Sequence, residues 1–269
     1  KVARPSIDLV TEMLLQDPHL PRSGQPLEKA TGRLVFRDVR WNAENREILR
    51  GVSLEVAPGE TVALVGKGGC GKSSLLRLAL RVDEASAGTI TLDAVDTAAM
   101  APRQLRARIG VLEQHPVFFS RSLRENLLLD DGTATDDEIM AAARVAHIDE
   151  LVVRIGLENP LPQGGQTLSG SEKRRLALTR MLLRDPDVIF VDELEAGLPQ
   201  ALAQVLLRDL RAHTAGKTCL MVTHRPDLLE ADRVALLHEG CILEIGSHAE
   251  LCQRSALYRE LLAQGENEA

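Results

Sequence analysis

Residues 66–73 (GKGGCGKS) have the spacing G-x-x-x-x-G-K-[ST], which is typical of a loop that binds phosphate groups. Glycines let backbone N–H groups face phosphate oxygens, and a following helix adds its N-terminal dipole. Lys72 can reach the β- and γ-phosphates, and the hydroxyl of Ser73 can bind Mg²⁺. A glycine-rich turn without a ligand is disfavoured, since an apolar strand precedes the loop and a helix follows it. We predict that a nucleoside triphosphate contacts Gly66, Lys67, Gly68, Gly69, Cys70, Gly71, Lys72, Ser73 and Ser74.

Cys70 lies inside this phosphate loop (residues 66–73), near the N-terminus of the predicted helix. Such a position lowers the pKa of a thiol. The commoner alternative is a small residue that only fills space. If the thiol is reactive, its alkylation blocks nucleotide binding and ATP protects it.

Polar residues also follow three short apolar segments. Asp192 and Glu193 end the segment VIFVDE (188–193), His224 ends TCLMVTH (218–224), and Gln114 ends IGVLEQ (109–114). In parallel sheets, sites form at the carboxyl ends of strands. There Asp192 can hold Mg²⁺ through water, Glu193 can polarise an attacking water, and His224 can sense the γ-phosphate. The amide of Gln114 can reach the metal or the water. A solvated acidic turn, a hydrogen-bonded histidine and a surface glutamine are the alternatives.

Alternating strands and helices are needed to bring these residues together, and the chain supplies them. Apolar segments predict strands over 61–66, 109–114, 188–193 and 218–224, and helical periodicity predicts helices over 73–81, near 135–153, and over 171–183 and 199–213. This order indicates a mostly parallel α/β sheet. The segments 34–41 and 52–56 favour an antiparallel β subdomain beside it. Residues 6–15 have a helical pattern, and the prolines after them indicate a linker.

The composition of the 269 residues excludes several classes of protein. The net charge is −7 and only 2% of the residues are aromatic, so a groove that stacks nucleic-acid bases is disfavoured. No apolar run approaches the length of a membrane span. The four cysteines have no CxxC spacing, which favours free thiols over a disulfide framework or a zinc site.

Taken in order, these segments resemble the nucleotide-binding domain of exporter-type ABC transporters. The resemblance rests on the phosphate loop, Gln114, LSGSE (168–172), DVIFVDE (187–193) and the run 223–251, which contains His224. It implies a P-loop NTPase fold of the ABC type: a mixed, RecA-like parallel-sheet core, an antiparallel β subdomain and a helical subdomain. Residues 32–269 are then the domain, and residues 1–31 are the linker from a transmembrane domain upstream in the same chain.

The resemblance also implies an assembly. Two such domains form a head-to-tail dimer with two ATP molecules at the interface, on the cytoplasmic face of the membrane. Each ATP with its Mg²⁺ meets the phosphate loop, Gln114, Asp192, Glu193 and His224 of one chain. The signature segment (residues 168–172) and the loop before residue 199 of the other chain complete the site. Residues 115–127 contact the transmembrane domain, and ATP hydrolysis drives transport.

The signature segment departs from the LSGGQ of the family. Beside Ser169 and Gly170, Ser171 replaces a glycine, and its Cβ restricts the approach of the partner's phosphate. Glu172 replaces an amide with an anion. After the position of Glu193 the family has P-T-S-A-L-D, whereas residues 194–199 of this chain are LEAGLP, so that Pro199 stands where the family has aspartate. These changes all concern the partner's ATP, so we hypothesise a heterodimer whose other domain has an intact LSGGQ.

Two other functions are compatible with a phosphate loop of this kind. A regulatory half that binds ATP without hydrolysing it is the main alternative, although Glu193 and His224 speak against it. A chromosome-maintenance ATPase is disfavoured, because such proteins insert a long coiled coil between the phosphate loop and the signature segment, and no heptads separate Lys72 from Leu168 here.

The adenine base raises a separate question. The family stacks it on an aromatic residue before the phosphate loop, and alignment of residues 36–45 puts Ala43 at that position. Trp41 lies two residues earlier, on the same face of a strand. Trp41 either stacks on adenine or belongs to the core.

Overall fold

The computed structural model describes residues 31–43, 46–129 and 132–267. The helix predicted over residues 6–15 and the linker after it lie outside these ranges. One sheet has the order β2-β1-β4-β5 and is antiparallel throughout. Its strands are β1 (Leu34–Ala43), β2 (Arg46–Val56), β4 (Ala87–Leu92) and β5 (Val95–Asp96). The predicted antiparallel β subdomain is therefore confirmed, with both early strands longer than expected.

A second sheet of six strands has the order β10-β9-β3-β8-β7-β6. All neighbours from β9 to β6 are parallel, and β10 is antiparallel to β9. The strands are β3 (Thr61–Val65), β6 (Ile109–Leu112), β7 (Val188–Asp192), β8 (Thr218–Val222), β9 (Arg233–His238) and β10 (Cys241–Gly246). The mixed, mostly parallel core is thus confirmed. Because β8 lies between β3 and β7, the carboxyl ends of these three strands meet at one edge.

The described residues form ten α-helices. They are α1 (Lys72–Ala79), α2 (Pro102–Arg108), α3 (Leu123–Leu128), α4 (Asp136–Val145), α5 (Asp149–Ile155), α6 (Gly170–Leu183), α7 (Gln200–His213), α8 (Pro226–Leu229), α9 (His248–Arg254) and α10 (Ala256–Asn267). The single helical stretch predicted near 135–153 is two helices, α4 and α5. They are separated at His147, which has a φ of 52° and whose carbonyl accepts a hydrogen bond from Arg175 at 2.5 Å.

Two hydrophobic clusters cover the two faces of the parallel sheet. In β3, Val62 and Leu64 join the cluster beneath the antiparallel sheet and α1, while Ala63 and Val65 join the cluster beneath the helices. Alternate residues of β7 and β8 divide in the same way. A strand that is buried on both faces has no polar position in its interior. Functional side chains are therefore confined to the strand ends.

Helices α3 to α6 lie next to one another: α3 and α4 pack against α6, and α6 also packs against β6. We call residues 123–183 the helical layer; it is the helical subdomain that the sequence predicted. Among the described residues, no helix has both the length and the apolar character that a bilayer crossing needs.

Candidate functional site

The phosphate loop joins β3 to α1, and close backbone approaches fix its shape. A Cβ at Gly66 would lie 2.2 Å from the carbonyl oxygen of Leu237, and one at Gly71 would lie 2.5 Å from a leucine methyl group. Gly71 also has a φ of 108°, which favours glycine. By contrast, a Cβ at Gly68 or Gly69 would meet nothing within 4 Å. This part of the loop therefore borders open space into which a phosphate group fits.

Lys72 supplies the positive charge of the loop. Its side-chain Nζ donates hydrogen bonds to the backbone carbonyls of Gly66 at 2.7 Å and Lys67 at 3.3 Å, and the residue is 5% exposed. Helix α1 has no side-chain N-cap and no acidic residue in its first turn. Its N–H groups and the Lys72 ammonium thus form an anion site that no side chain of the helix itself neutralises.

The thiol of Cys70 does not have the lowered pKa that its position near a helix N-terminus predicts. Burial raises the pKa of its thiol above the ordinary value, and this effect outweighs the attraction of Lys72 for a thiolate. The prediction that the loop lowers the thiol pKa is therefore wrong. Cys70 is a half-buried residue that packs against the hydrophobic cluster beneath the antiparallel sheet, which agrees with the alternative of a filler.

Asp192, the last residue of β7, faces the loop with an unsatisfied oxygen. Its Oδ1 is buried and has no hydrogen-bond partner, while Ser73 bonds to the carboxylate. Burial raises the pKa of Asp192 above its ordinary value. A buried carboxylate oxygen without a partner is unfavourable unless a cation or water completes it. The pair of Asp192 and Ser73 therefore fits Mg²⁺, which prefers such oxygen ligands, although the described residues contain no group of three acidic, cysteine or histidine ligands.

Glu193 lies at the centre of the predicted catalytic residues. Its Oε1 lies 2.8 Å from Nε2 of His224, and its Oε2 accepts a hydrogen bond from Nε2 of Gln114 at 2.5 Å. The hydrogen bond with His224 lowers the pKa of Glu193 and raises that of His224. Glu193 also has a φ of 52°, an uncommon conformation for a residue that is not glycine. The structure thus brings together three side chains that the sequence spreads over 110 residues.

The two candidates for the adenine contact lie at the end of β1. Trp41 is half-buried and packs against the same hydrophobic cluster as Ile48 and Cys70. Ala43 is the last residue of β1 and pairs with Arg46 of β2. Trp41 is therefore a partly buried residue that contacts the core, and it remains the candidate for the adenine contact.

The signature segment lies in the helical layer, at the start of α6. Ser169 is the N-cap residue, and Glu172 folds back onto it. Glu172 Oε2 accepts hydrogen bonds from the Ser169 backbone N–H at 2.8 Å and hydroxyl at 2.9 Å, while Ser169 Oγ accepts from the Glu172 N–H at 3.1 Å. This arrangement is a capping box. The carboxylate of Glu172 therefore caps its own helix, whereas the sequence analysis considered Glu172 only as an anion that concerns the partner's ATP.

One buried acid escaped the sequence reasoning. Glu195 is 8% exposed, and its Oε1 accepts hydrogen bonds from Thr223 Oγ1 at 2.5 Å and from the backbone N–H of His224 at 2.9 Å. The sequence showed only that residues 194–199 depart from the family pattern. A second acid two residues after Glu193, in a short turn between buried elements, was the signal that could have identified it.

Comparison with known proteins identifies the family of this chain. Residues 49–196 match the ABC transporter family. The chain is 37% identical to rat ATP-binding cassette sub-family B member 6 over 246 residues, which are 90% of this chain and 29% of that protein. It is 34% identical over 258 residues to the mycobactin import ATP-binding/permease protein IrtB of Mycolicibacterium thermoresistibile, covering 94% of this chain and 45% of that protein.

A solved structure shows the same arrangement. The structure of a bacterial Atm1-family ABC exporter with ATP bound superimposes with a TM-score of 0.87 at 31% identity, covering 97% of this chain and 47% of that one. The chain thus spans less than half the length of each of these relatives.

Proposed function

The chain belongs to the ABC transporter family, and on this premise we propose that it is the part of an exporter-type transporter that binds and hydrolyses ATP. The nucleotide-binding domain comprises residues 32–269, and residues 1–31 are the linker to a transmembrane domain. The observation that carries the proposal is the cluster at the ends of β7 and β8, where Glu193 contacts both Gln114 and His224. Lys72 and Asp192 complete it on the side of the phosphate loop.

Binding rests on the phosphate loop. The phosphates of ATP would take the place beside Gly68 and Gly69, with the Lys72 ammonium exchanging its carbonyl contacts for phosphate oxygens. Ser73, Gln114 and Asp192 are the residues that would hold Mg²⁺, Asp192 through its unpaired oxygen. When bound, Mg²⁺ neutralises negative charge on the phosphates and so favours transfer of the terminal phosphoryl group.

Hydrolysis rests on Glu193. The hydrogen bond with His224 lowers the pKa of Glu193 and so favours its ionised carboxylate, which can accept a hydrogen bond or a proton from an attacking water. His224 and Gln114 hold the carboxylate from two sides and limit its rotation. Once the nucleotide is bound, the same two side chains can contact the γ-phosphate and the metal.

The decisive experiment is Glu193→Gln in the assembled transporter. We expect a loss of ATP turnover of about 100-fold or more, as for other general bases, while ATP binding persists because the phosphate loop is unchanged. Glu84→Gln is the matched control, since the Glu84 side chain is 82% exposed. Undiminished turnover in Glu193→Gln would instead identify the chain as a half that binds ATP without hydrolysing it.

Two partners follow from the proposal. One is the transmembrane domain, and similarity to an ATP-binding/permease protein and to an ABC exporter supports it. Val117 and Phe119 are 61% and 52% exposed within residues 115–127, and such large apolar side chains suit a contact with membrane helices. The second partner is another nucleotide-binding domain. The pair would lie on the cytoplasmic face of the membrane.

The second domain differs from this one in our proposal. The residues that act on the phosphates and metal of this chain's own ATP keep the residue types of the family, whereas the signature segment carries Ser171 and Glu172. Pro199 is the N-cap residue of α7 and gives that helix no side-chain cap, where an aspartate would supply one. An intact LSGGQ on the partner would complete the site that this chain houses, and the altered segment would serve the other, less active site.

A further inference from the structure

We infer that Glu195 is a positioning residue, which holds the main chain of His224 so that its imidazole stays on Glu193. The inference rests on the proposed function, in which His224 contacts the γ-phosphate. It adds a residue with no counterpart in the family pattern, which has threonine at this place in the turn.

The contacts of Glu195 converge on one oxygen. Its Oε1 accepts hydrogen bonds from the Thr223 hydroxyl and from the N–H of His224, at 2.5 and 2.9 Å. Glu195 is 8% exposed and Thr223 is 2% exposed, so solvent hardly competes for these bonds. Hydrogen bonds to a carboxylate are stronger than those between neutral groups. The start of the loop after β8 is therefore fixed by a charged acceptor.

The same loop is tied at three further points. The Thr223 hydroxyl, while donating to Glu195, accepts a hydrogen bond from the N–H of Arg225 at 2.9 Å. The Thr223 N–H donates to the carbonyl of Leu64 in β3 at 3.3 Å. On the other side, Nε2 of His224 contacts Glu193 at 2.8 Å. Thr223 thus links the loop on both sides of His224.

Two acids of one turn therefore hold the two ends of one histidine: Glu193 the imidazole and Glu195 the backbone. The turn itself is closed by hydrogen bonds from the N–H of Ala196 to the carbonyl of Glu193 and from the N–H of Leu198 to that of Glu195. A threonine side chain is two heavy atoms shorter and does not reach the same donors from this backbone. Loss of the Glu195 acceptor leaves two buried donors unpaired, which loosens the loop.

The test compares Glu195→Met with Glu195→Gln in the complete transporter. Methionine keeps the length and removes the acceptor, whereas glutamine keeps a carbonyl oxygen where Oε1 lies. We expect Glu195→Met to lower kcat about 10- to 100-fold, the scale of a displacement of about 1 Å at a reacting group. The KM for ATP should change by less than about 2-fold, because the phosphate loop is intact. Glu195→Gln should retain most of the turnover.

A double-mutant cycle separates positioning from a loss of fold. In a His224→Ala background, Glu195→Met should cause no further loss of kcat, since its effect passes through His224. Additive losses would overturn the inference, and so would an unchanged kcat in Glu195→Met or an equal loss in Glu195→Gln. If Glu195→Met does not fold, Thr223→Val serves instead. It removes the hydroxyl that donates to Glu195 and accepts from the N–H of Arg225, and we expect kcat to fall about 3-fold with KM unchanged; an unchanged kcat contradicts the inference.

Hydrogen exchange of the transporter without nucleotide provides a readout that needs no ATPase activity. The amide of His224 should exchange at least about 10-fold faster in Glu195→Met than in the native protein or in Glu195→Gln, since one hydrogen bond to a charged acceptor is lost. Equal exchange rates would refute the contact. If exchange responds as expected and the native transporter shows no ATP turnover, the proposed function fails while the link between Glu195 and His224 holds.

Discussion

Helices α1 and α6 each begin at a segment that contacts ATP in the family, but they differ in what caps their N-terminal N–H groups. Helix α1 has Gly71 as its N-cap residue, with no side-chain cap and no acid in its first turn. Helix α6 has Ser169 as its N-cap residue, and Glu172 closes a capping box over it. The first N-terminus thus presents free N–H groups and Lys72. At the N-terminus of α6, the carboxylate of Glu172 occupies the place that a phosphate group would take at α1.

The difference shows how the same backbone device serves binding or stability. Free N–H groups at a helix start attract phosphate, but a side chain that accepts their hydrogen bonds satisfies them and cancels the positive end of the dipole. Three other helices of the described residues have the same capping box as α6, namely α3, α4 and α9. By this measure α6 is built like a structural helix. The comparison supports the proposal that this chain binds the phosphates of its own ATP tightly and contributes little to the binding of the partner's ATP.

The largest effect should come from a substitution at the N-terminus of α1. Lys72→Met removes the charge that the loop encloses, and we expect ATP to bind roughly 10- to 100-fold more weakly, the value of a hydrogen bond to a charged group. Isothermal titration with ATP measures the change. Lys217→Met is the control, because Lys217 precedes β8 at the end opposite His224 and pairs with Asp185. Equal affinities of the two variants would remove the phosphate loop from the proposed site.

Much of the site that acts on this chain's own ATP could be predicted from sequence, because each of its residues lies in a short local sequence pattern. The run 66–73 specifies a loop between a strand and a helix, and Asp192 and His224 follow apolar strands directly. The role of Glu195 could not be predicted, since its donors lie 28 and 29 residues away and meet it only because β7 and β8 are neighbours. The prediction that the pKa of Cys70 is lowered was wrong for a similar reason, because the burial of its thiol depends on residues outside the loop.

The orientation of Glu172 is a further case that sequence alone left undecided. An acid three residues after serine forms a capping box when its side chain folds back, and faces outward when it does not. The sequence S-x-x-E permits both. The helix break at His147 belongs here too, because the residue adopts φ of 52° while its carbonyl accepts a hydrogen bond from Arg175, 28 residues away.

Substitution of Trp41 should have a smaller effect on ATP binding. If the half-buried ring stacks on adenine, Trp41→Ala should weaken ATP binding about 5-fold, at the low end of base stacking on an aromatic residue. As the only tryptophan of the chain, it should also change its fluorescence when ATP is added. Phe36→Leu is a control for core packing, because Phe36 is on β1 but 1% exposed. Unchanged affinity and fluorescence would leave Trp41 as a core residue only.

Removal of the negative charge at the N-terminus of α6 should increase activity, whereas the two variants above weaken ATP binding. Glu172→Gln keeps an oxygen that can close the capping box and removes the anion. We expect turnover at the partner's site to rise about 2- to 5-fold, since a unit charge at about 4 Å in water costs roughly 1 kcal/mol. The effect is measured in a Glu193→Gln background, where the chain's own site is silent. Glu138→Gln neutralises the equivalent capping box in α4 and should leave turnover unchanged. A rise in both variants, or in neither, would contradict the assignment.

The smallest effect concerns stability and pH. The hydrogen bond from the Ser169 backbone lowers the pKa of Glu172 in the folded chain. A carboxylate with a depressed pKa stabilises the fold above its unfolded pKa and loses this contribution as pH falls through the folded value. Native protein should therefore have a Tm about 1–3 °C above that of Glu172→Gln at pH 7, and the two should converge in acid below about pH 4. Calorimetry across this range measures the difference. A Tm gap that persists in acid would mean that packing, and not the charge at the helix N-terminus, distinguishes the two variants; the contrast between α1 and α6 would then be one of shape.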